Sequence, residues 1–387
     1  MTAVAIKGWC PSAHRPMQSG DGLVARIRPR SGRLSAAQAI AIAELAERYG
    51  NGLIDLTGRA NLQVRGLRSE GHEALLERLA ELVLVDADAD VETERNILLA
   101  PFWRDGDDTQ MIAVELERAL GERSLGLPAK FGFAVDCGEA RLLAQASADI
   151  RIERSADGGL LVRADGASPG HAATRADAVE LAMSLTKWFL ASGGVSDGRG
   201  RMAAHIGRGA KLPDALAGLA VPAPALPRPA PGICATGALV GIAFGQMRSA
   251  TLKFLGERAA SLRMTPWRMI LLEGLREMPA HDGLVASAHD PLLRIAACTG
   301  APACDAAHAD TRALAAALAP HLAADADLHV SGCAKGCAHP GVADVTLIAT
   351  SDGFDVIRDG TIRDAPARRG VSRADILADP RLVLEAH

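Results

Sequence analysis

The chain contains two copies of one pattern, and this repeat constrains its fold more than any other feature. The segment "ADIRIERSADGGLLVRADG" (148–166) matches "ADVTLIATSDGFDVIRDG" (343–360) with one gap. Each copy places apolar residues around an Asp-Gly pair, at Asp157-Gly158 and at Asp352-Gly353, which predicts a β-hairpin. A strand that ends near a cysteine precedes each copy, in "KFGFAVDCG" and "LHVSGCAKGC". The repeat therefore predicts two related units.

A smaller unit is also repeated, once before each larger one. In its first copy, strands are predicted at "LVARI" (23–27) and "GLIDLT" (52–57), around the helix "AAQAIAIAELAERYG" (36–50). That helix has apolar residues at helical spacing and ends at Gly50. The prolines of "VPAPALPRPAPG" (221–232) favour an extended linker, after which "GALVGIAFGQMRSATLKFLGERAASLRMTPWRMILLEGL" repeats the plan. Two halves of similar order predict a duplicated α+β architecture with a site between them.

The composition argues against two classes of partner. The chain has 387 residues, enough for two or three domains, and its formal net charge of −4 argues against a nucleic-acid surface. Aromatic residues make up only 3%, too few for base-stacking platforms. No run approaches about 18 apolar residues, and "MTAVAIKGWCPSAHRPM" lacks the apolar part of a signal peptide. We therefore expect a cytoplasmic protein with no membrane partner, whose thiols stay reduced.

Four of the seven cysteines are clustered: five residues separate Cys298 from Cys304, and three separate Cys333 from Cys337. Four thiolates suit a [4Fe–4S] cluster or tetrahedral zinc. The five-residue gap is longer than zinc sites usually have, so we favour the cluster over zinc and over four structural cysteines. Nearby glycines let the backbone approach a bulky inorganic core: Gly300, Gly332 and Gly336. The isolated thiols are interpreted as small buried residues: Cys10, Cys137 and Cys234.

The cysteine spacing resembles the cluster motif of the sirohaem-dependent nitrite and sulfite reductases, in which the last cysteine, here Cys337, also bridges to the tetrapyrrole iron. Three more segments resemble that family: "LTGRANLQVRG" its T-x-R-x-x-x-Q strand, "ERNILLAP" its R-N-V segment and "LPAKFGFAV" its L-P-R-K-F-K segment. The resemblance implies that basic residues there bind the carboxylates of a tetrapyrrole, and such a ligand needs several cations around one cavity. The predicted substrate-binding positions in these segments are Arg59, Gln63, Arg95 and Lys130.

The resemblance extends over nearly the whole chain and implies two ferredoxin-like half-domains and two larger α/β units. We predict the first half-domain at 1–72 and the first larger, reductase-like unit at 73–220. The linker at 221–232 follows. The second half-domain is predicted at 233–290, and the second larger unit, which would carry the [4Fe–4S] cluster, at 291–387.

The start "CPSAHRPMQSGDGLVARIR" resembles the C-P-x4-P-M-x-x-G-D-G-L start of the precorrin-3B synthases, a branch of this superfamily in aerobic cobalamin synthesis. The segment "RMTPWR" also resembles that branch, and it adds Arg263 and Arg268 to the predicted substrate-binding residues. The resemblance implies an oxygen-dependent hydroxylation of precorrin-3A with lactone formation. It further implies an external electron donor or NAD(P)H-linked reductase and a separate mononuclear non-haem iron. No catalytic residue is assigned.

Two departures from the reductase pattern bear on this interpretation. Gly132 replaces the second lysine of the L-P-R-K-F-K segment, and Ala129 replaces its arginine. These losses weaken the case for sirohaem and oxyanion reduction, so a nitrite or sulfite reductase is the alternative. A non-catalytic iron–sulfur carrier or a zinc-stapled binding module is a rival of another class. No histidine pair has a spacing that identifies the mononuclear iron site, although candidates exist: His14, His205, His308 and His339.

Overall fold

The structure, a computed structural model, describes residues 10–385. Residues 1–9, on which the prediction of no signal peptide partly rests, lie outside the described residues. Over residues 10–385 the chain forms four β-sheets, which we number 1 to 4, and ten α-helices. None of these helices is long and apolar enough to cross a membrane.

The helices vary from one to four turns. They are α1 (Ala36–Tyr49), α2 (His72–Glu81), α3 (Ala89–Glu94), α4 (Asp108–Gly121), α5 (Ala178–Ala191), α6 (Met202–Gly207), α7 (Ser249–Gly256), α8 (Thr311–Leu318), α9 (Arg373–Ala378) and α10 (Arg381–Leu384). The predicted helix at 36–50 is confirmed as α1. It begins with a capping box, in which the Ser35 hydroxyl accepts from the Gln38 backbone N–H while the Gln38 side chain accepts from the Ser35 backbone N–H, and Gly50 ends it.

Sheets 1 and 3 belong to the two small units and have the same strand order. In spatial order, sheet 1 contains β1 (Met17–Ser19), β2 (Gly22–Ile27), β5 (Leu62–Leu67), β4 (Leu53–Leu56) and β13 (Gln246–Arg248). Sheet 3 contains β11 (Gly232–Ile233), β12 (Gly237–Ile242), β15 (Met269–Glu273), β14 (Ser261–Met264) and β3 (Arg33–Ser35), with β16 (Leu284–Val285) also paired to β12.

These two sheets exchange an edge strand. β3 comes from the first small unit but pairs with β14 of the second, where Leu34 lies opposite Leu262. β13 comes from the second unit but pairs with β4 of the first. Helices α1 and α7 pack against each other behind the sheets, and Gly256 allows this close approach because a Cβ there would lie 3.2 Å from that of Ala39. One hydrophobic core therefore serves both small units.

Sheets 2 and 4 belong to the larger units and are also built alike. Sheet 2 contains β10 (His171–Ala173), β9 (Leu160–Ala164), β8 (Ile150–Arg154), β7 (Phe133–Asp136) and β6 (Ile97–Leu99). Sheet 4 contains β17 (Ile295–Ala297), β18 (Leu328–Ser331), β19 (Ala343–Thr350), β20 (Gly353–Gly360) and β21 (Arg368–Val371). Each has three parallel strands followed by two antiparallel ones, and both predicted hairpins are present, as β8–β9 and β19–β20.

The exchanged strands should make the small units one cooperative unit of folding. Leu34 is 0% exposed although it lies in a strand of three residues. Leu34→Ala removes packing from the core that the two units share, so we expect the free energy of unfolding to fall by about 2–5 kcal/mol. Chemical denaturation followed by circular dichroism measures this change. Leu219→Ala, at a side chain 93% exposed, is the control, and equal midpoints for the two variants would contradict the prediction.

Candidate functional site: thiol loops facing a polar sheet

The four clustered cysteines lie in two loops at one edge of sheet 4. Cys298 follows β17 and Cys333 follows β18, and these adjacent parallel strands pair with Ala297 opposite Val330. Parallel strands end at the same sheet edge, where open α/β sheets usually bind ligands. Cys304 and Cys337 follow in the same loops. The parallel register thus brings together two pairs of thiols that are far apart in sequence.

Hydrogen bonding and electrostatics link the two loops. The Gly332 backbone N–H donates to the Cys298 sulfur over 3.1 Å, a contact of the kind that tunes thiolate ligands of iron–sulfur centres. Partial burial raises the pKa of the Cys337 thiol, and the neighbouring thiols of Cys333, Cys298 and Cys304 raise it further. The three other clustered sulfurs therefore lie close enough to Cys337 to affect its charge.

The backbone of these loops is tightly packed. A Cβ at Gly332 would come within 2.7 Å of the Ala307 Cβ, and one at Gly336 within 2.8 Å of Ile362. Gly336 also has a φ of 61°, which a residue with a side chain adopts only with strain. The glycines hold the thiols at a fixed place on the sheet edge.

The thiol loops fit a four-thiolate inorganic centre in donor chemistry and in N–H···S bonding. Among residues 10–385, no group of three or more His, Cys, Asp or Glu residues is arranged to hold a single metal ion. Cys137 lies apart from the four, in the core of sheet 2, where burial raises the pKa of its thiol far above its ordinary value.

The outer face of sheet 1 docks directly on the first thiol loop. The Ser19 hydroxyl donates to the Ala303 carbonyl over 2.8 Å, and Arg65 donates to the same oxygen over 3.3 Å. Arg65 is held by ion pairs of 2.7 Å with Asp21 and 2.9 Å with Asp55. These contacts fix the distance between the small units and the thiols.

The same outer face carries a row of polar side chains next to this contact. Asp55 pairs with Gln63, and Gln63 pairs with Arg26, across three adjacent strands. Directly paired residues point to the same face of a sheet, and the alternate residues Leu62 and Val64 point into the core instead. Gln63 in this row is one of the residues predicted from the sequence, whereas Arg26 is not. The Nε atom of Arg26 has no hydrogen-bond partner among residues 10–385.

Sheet 3 has the equivalent row, with different chemistry. There Arg263 pairs with Leu271, which pairs with Leu239. The two leucines are buried in an apolar cluster with Met269, against which Phe102 packs. In sheet 3, two of the three positions in this row are therefore buried leucines, whereas in sheet 1 all three positions are polar and lie beside the thiols.

Cations converge at the end of the polar row. Arg59 donates to the Lys130 carbonyl over 2.8 Å and to the Ser147 hydroxyl over 3.2 Å, so two of the predicted residues are adjacent. Arg201 donates to the same hydroxyl over 3.0 Å. Burial, Arg201 and Arg26 lower the pKa of Arg59 to about 10. We call the three arginines the cation cluster: Arg26, Arg59 and Arg201. Lys130 meets this cluster through its carbonyl oxygen.

Arg201 provides a cation next to the position where the reductase lysine is absent. It pairs with Asp149 over 2.9 Å, and Asp149 also accepts from the Gly132 backbone N–H over 3.0 Å. A side chain at Gly132 would collide with Asn96, since a Cβ there would lie 2.7 Å from its Nδ2. The sequence analysis missed Arg201 because it precedes α6, far along the chain from the matched segments.

Arg95 lies beside this region but is buried in the protein. It pairs with Asp86 over 2.7 Å and donates to the Arg28 carbonyl over 3.3 Å, while Asn96 donates to the Phe131 carbonyl over 2.9 Å. Arg95 thus stabilises the backbone at Arg28, directly after strand β2, which contains Arg26.

The other two predicted arginines lie on the second small unit. Arg263 pairs with Glu273, stacks on Trp103 with its guanidinium carbon 3.5 Å from the ring centroid, and donates to the Pro101 carbonyl over 2.8 Å. It shares none of these contacts with the cation cluster.

Arg268 donates to the Ile295 carbonyl at the start of β17 over 2.9 Å. Its pKa is lowered to about 10 by burial and by nearby arginines: Arg228 and Arg312.

Three comparisons with known proteins bear on this site. Residues 15–82 match the nitrite/sulfite reductase ferredoxin-like half domain. A precorrin-3B synthase of Sinorhizobium sp. is 33% identical to this chain, over 93% of this chain and 84% of that protein. The ferredoxin–nitrite reductase of Synechococcus elongatus is also 33% identical, but over 34% of this chain and 27% of that protein.

The fold has a solved counterpart. The NirA protein of Mycobacterium tuberculosis matches with a TM-score of 0.67 at 17% sequence identity, over 92% of this chain and 79% of that one. This likeness confirms the predicted duplicated, reductase-like α+β fold.

The first site prediction concerns the thiol loops. Replacing any of Cys298, Cys304, Cys333 or Cys337 by Ser should abolish or degrade the iron–sulfur absorption, since a serine hydroxyl is a poor substitute for a thiolate ligand. Iron and sulfide analysis of anaerobically purified protein measures the loss. Cys234→Ser is the control and should retain both. Full iron and sulfide in Cys333→Ser would contradict the assignment.

Proposed function

Because this chain belongs to the precorrin-3B synthase family, we propose that it hydroxylates precorrin-3A with O2 and forms a lactone from a neighbouring acetate. The observation that carries the proposal is the difference between the duplicated faces. The row of Asp55, Gln63 and Arg26 is polar and lies beside the thiols, whereas the row of Leu271 and Leu239 is apolar and closed. Only the first face suits a ligand that carries many carboxylates.

The cation cluster would bind and orient the substrate. Carboxylates that enter a partly buried cleft need charged partners, since an unpaired buried charge is costly. Arg59 and Arg201 both donate to Ser147, and burial together with repulsion from Arg201 lowers the pKa of Arg59. A bound carboxylate would relieve that repulsion. Gln63, paired with Arg26 on the sheet, would donate an amide N–H to the same ligand.

The residues that would hold a [4Fe–4S] cluster are Cys298, Cys304, Cys333 and Cys337. When bound, such a cluster supplies single electrons. Those electrons would come from an external donor or an NAD(P)H-linked reductase. The reaction with O2 would take place at a separate mononuclear non-haem iron. A reducing compartment such as the cytoplasm would keep the free thiols available as ligands.

The alternative is a sirohaem-dependent nitrite or sulfite reductase, which the partial matches to ferredoxin–nitrite reductases favour only over about a third of the chain. Against it, Gly132 occupies a reductase lysine position, where a Cβ would lie 2.7 Å from the Asn96 Nδ2 atom and 3.0 Å from the Asn96 carbonyl oxygen. A zinc-stapled module or simple electron carrier would not need the polar row of sheet 1.

The second prediction tests how the substrate is held. A charge-assisted hydrogen bond to a carboxylate contributes roughly 1.5–3 kcal/mol, so Arg59→Ala and Arg26→Ala should each weaken precorrin-3A binding by about ten- to a hundredfold. The measurement is an anaerobic titration of precorrin-3A into cluster-replete protein. Arg248→Ala, on the exposed edge strand β13 of the same sheet, is the matched control. Unchanged affinity in both site variants would place the substrate elsewhere.

The third prediction distinguishes the proposed hydroxylase from the alternative, a sirohaem-dependent reductase. We expect no sirohaem to co-purify with the protein, because the match over 93% of the chain is to a precorrin-3B synthase, and Gly132 and Ala129 depart from the reductase segment. The absorption spectrum of anaerobically purified protein, with pigment extraction, measures this. Stoichiometric sirohaem would support the reductase instead.

A further inference from the structure

A buried histidine lies four residues before Cys333, on the strand that leads into the second thiol loop, and within the described part of the chain its ring has no hydrogen-bond partner. His329 is in the middle of β18, between Ala296 and Thr346 on the neighbouring strands, and its exposed fraction is 0%. Both of its ring nitrogens lack a hydrogen-bond partner among residues 10–385. A buried polar group with no partner is destabilising, so a histidine is an unfavourable choice here unless it binds something.

The duplicated sheet shows that the fold does not require a histidine at this position. In sheet 2 the equivalent central position of β7 is Ala134, paired between Leu98 and Arg151. Ala134 is fully buried and belongs to the hydrophobic core of the small units. The histidine occurs only in the copy that carries the clustered thiols.

A second imidazole meets the first. The rings of His329 and His339 have centroids 5.7 Å apart and planes at 71°. The Nε2 atom of His339 lies 3.0 Å from the Val342 carbonyl, and only an N–H can donate to a carbonyl, so this nitrogen carries a proton. In the neutral ring that leaves Nδ1 with its lone pair. Histidines that bind metals commonly have this arrangement, with the other ring N–H donated to a backbone carbonyl.

We propose that His329 and His339 bind one divalent transition-metal ion beside the thiol loops, with ferrous iron as the ion in the working enzyme. Two imidazoles on one ion, with metal–nitrogen bonds of about 2.1 Å, have ring centroids roughly 5–6 Å apart. The observed separation lies in that range. The assignment of iron rests on the proposed function, whereas the binding of an ion rests on the two rings alone.

The protonation state of His329 favours metal binding. Burial, together with the nearby His339, lowers the pKa of its imidazole to about 4. The ring is therefore neutral at pH 7, which is the form that binds metals, and no proton competes for its nitrogen. Imidazole suits iron, zinc, copper and nickel, and two protein ligands leave coordination positions open for water, oxygen or a substrate carboxylate.

The test measures metal binding directly rather than activity. In anaerobically reconstituted wild-type protein, we expect about one iron per chain beyond the acid-labile sulfide count, and about one Co²⁺ bound with visible ligand-field absorption when iron is withheld from this site. His339→Ala and the near-isosteric His329→Asn should each weaken Co²⁺ binding at least about tenfold, since even outer-shell changes cost that much. The iron–sulfur absorption should remain in both variants.

His321→Ala is the matched control, an exposed histidine of the same larger unit, and should bind Co²⁺ as wild type does. Wild-type Co²⁺ affinity in both site variants would overturn the proposal, as would a wild-type protein with no iron beyond its sulfide. Precorrin-3A titration distinguishes this failure from failure of the proposed function, because substrate binding depends on the cation cluster. Wild-type protein that binds precorrin-3A normally but holds no iron beyond its sulfide would reject the histidine site while leaving the proposed function intact.

Discussion

The exchange of edge strands between the two small units is the constraint on which the rest of the structure depends. β3 completes sheet 3 and β13 completes sheet 1, so neither sheet is whole without the other half of the chain. The shared core behind them fixes the direction in which each outer face points. The outer face of sheet 1 therefore meets the first thiol loop of sheet 4, and the outer face of sheet 3 meets the loop around Trp103, which follows strand β6 of sheet 2.

Duplication of a scaffold allowed the two faces to diverge. Asp55 and Arg65 form an ion pair on sheet 1, and the equivalent pair on sheet 3 is Arg263 and Glu273, with the charges reversed. Such a reversal preserves the ion pair on each face but changes which neighbouring groups can pack against that face. On sheet 3, Arg263 of the ion pair stacks on Trp103. On sheet 1, the Nε atom of the neighbouring Arg26 has no hydrogen-bond partner among residues 10–385.

The cation cluster shows how a binding surface can retain its charge while its sequence pattern changes. Gly132 cannot carry a side chain because Asn96 occupies the space, yet Arg201 reaches the same region from the start of α6. Asp149 connects the two, because it pairs with Arg201 and accepts from the Gly132 backbone. A sequence motif covers one segment of the chain, so it shows the missing lysine at Gly132 but not the arginine that comes from another segment.

The sequence by itself determined the duplicated α+β plan, the helix α1, both hairpins and the grouping of the thiols into two loops, because turn residues, helical periodicity and cysteine spacing are local signals. Tertiary structure alone decided the strand exchange, the convergence of Arg26 and Arg201 on Arg59, and the meeting of His329 with His339. These contacts join residues that are distant in sequence or lie on different elements. They depend on sheet register and packing, which carry no local pattern, and that is why the sequence did not show that Arg95 and Arg263 are buried.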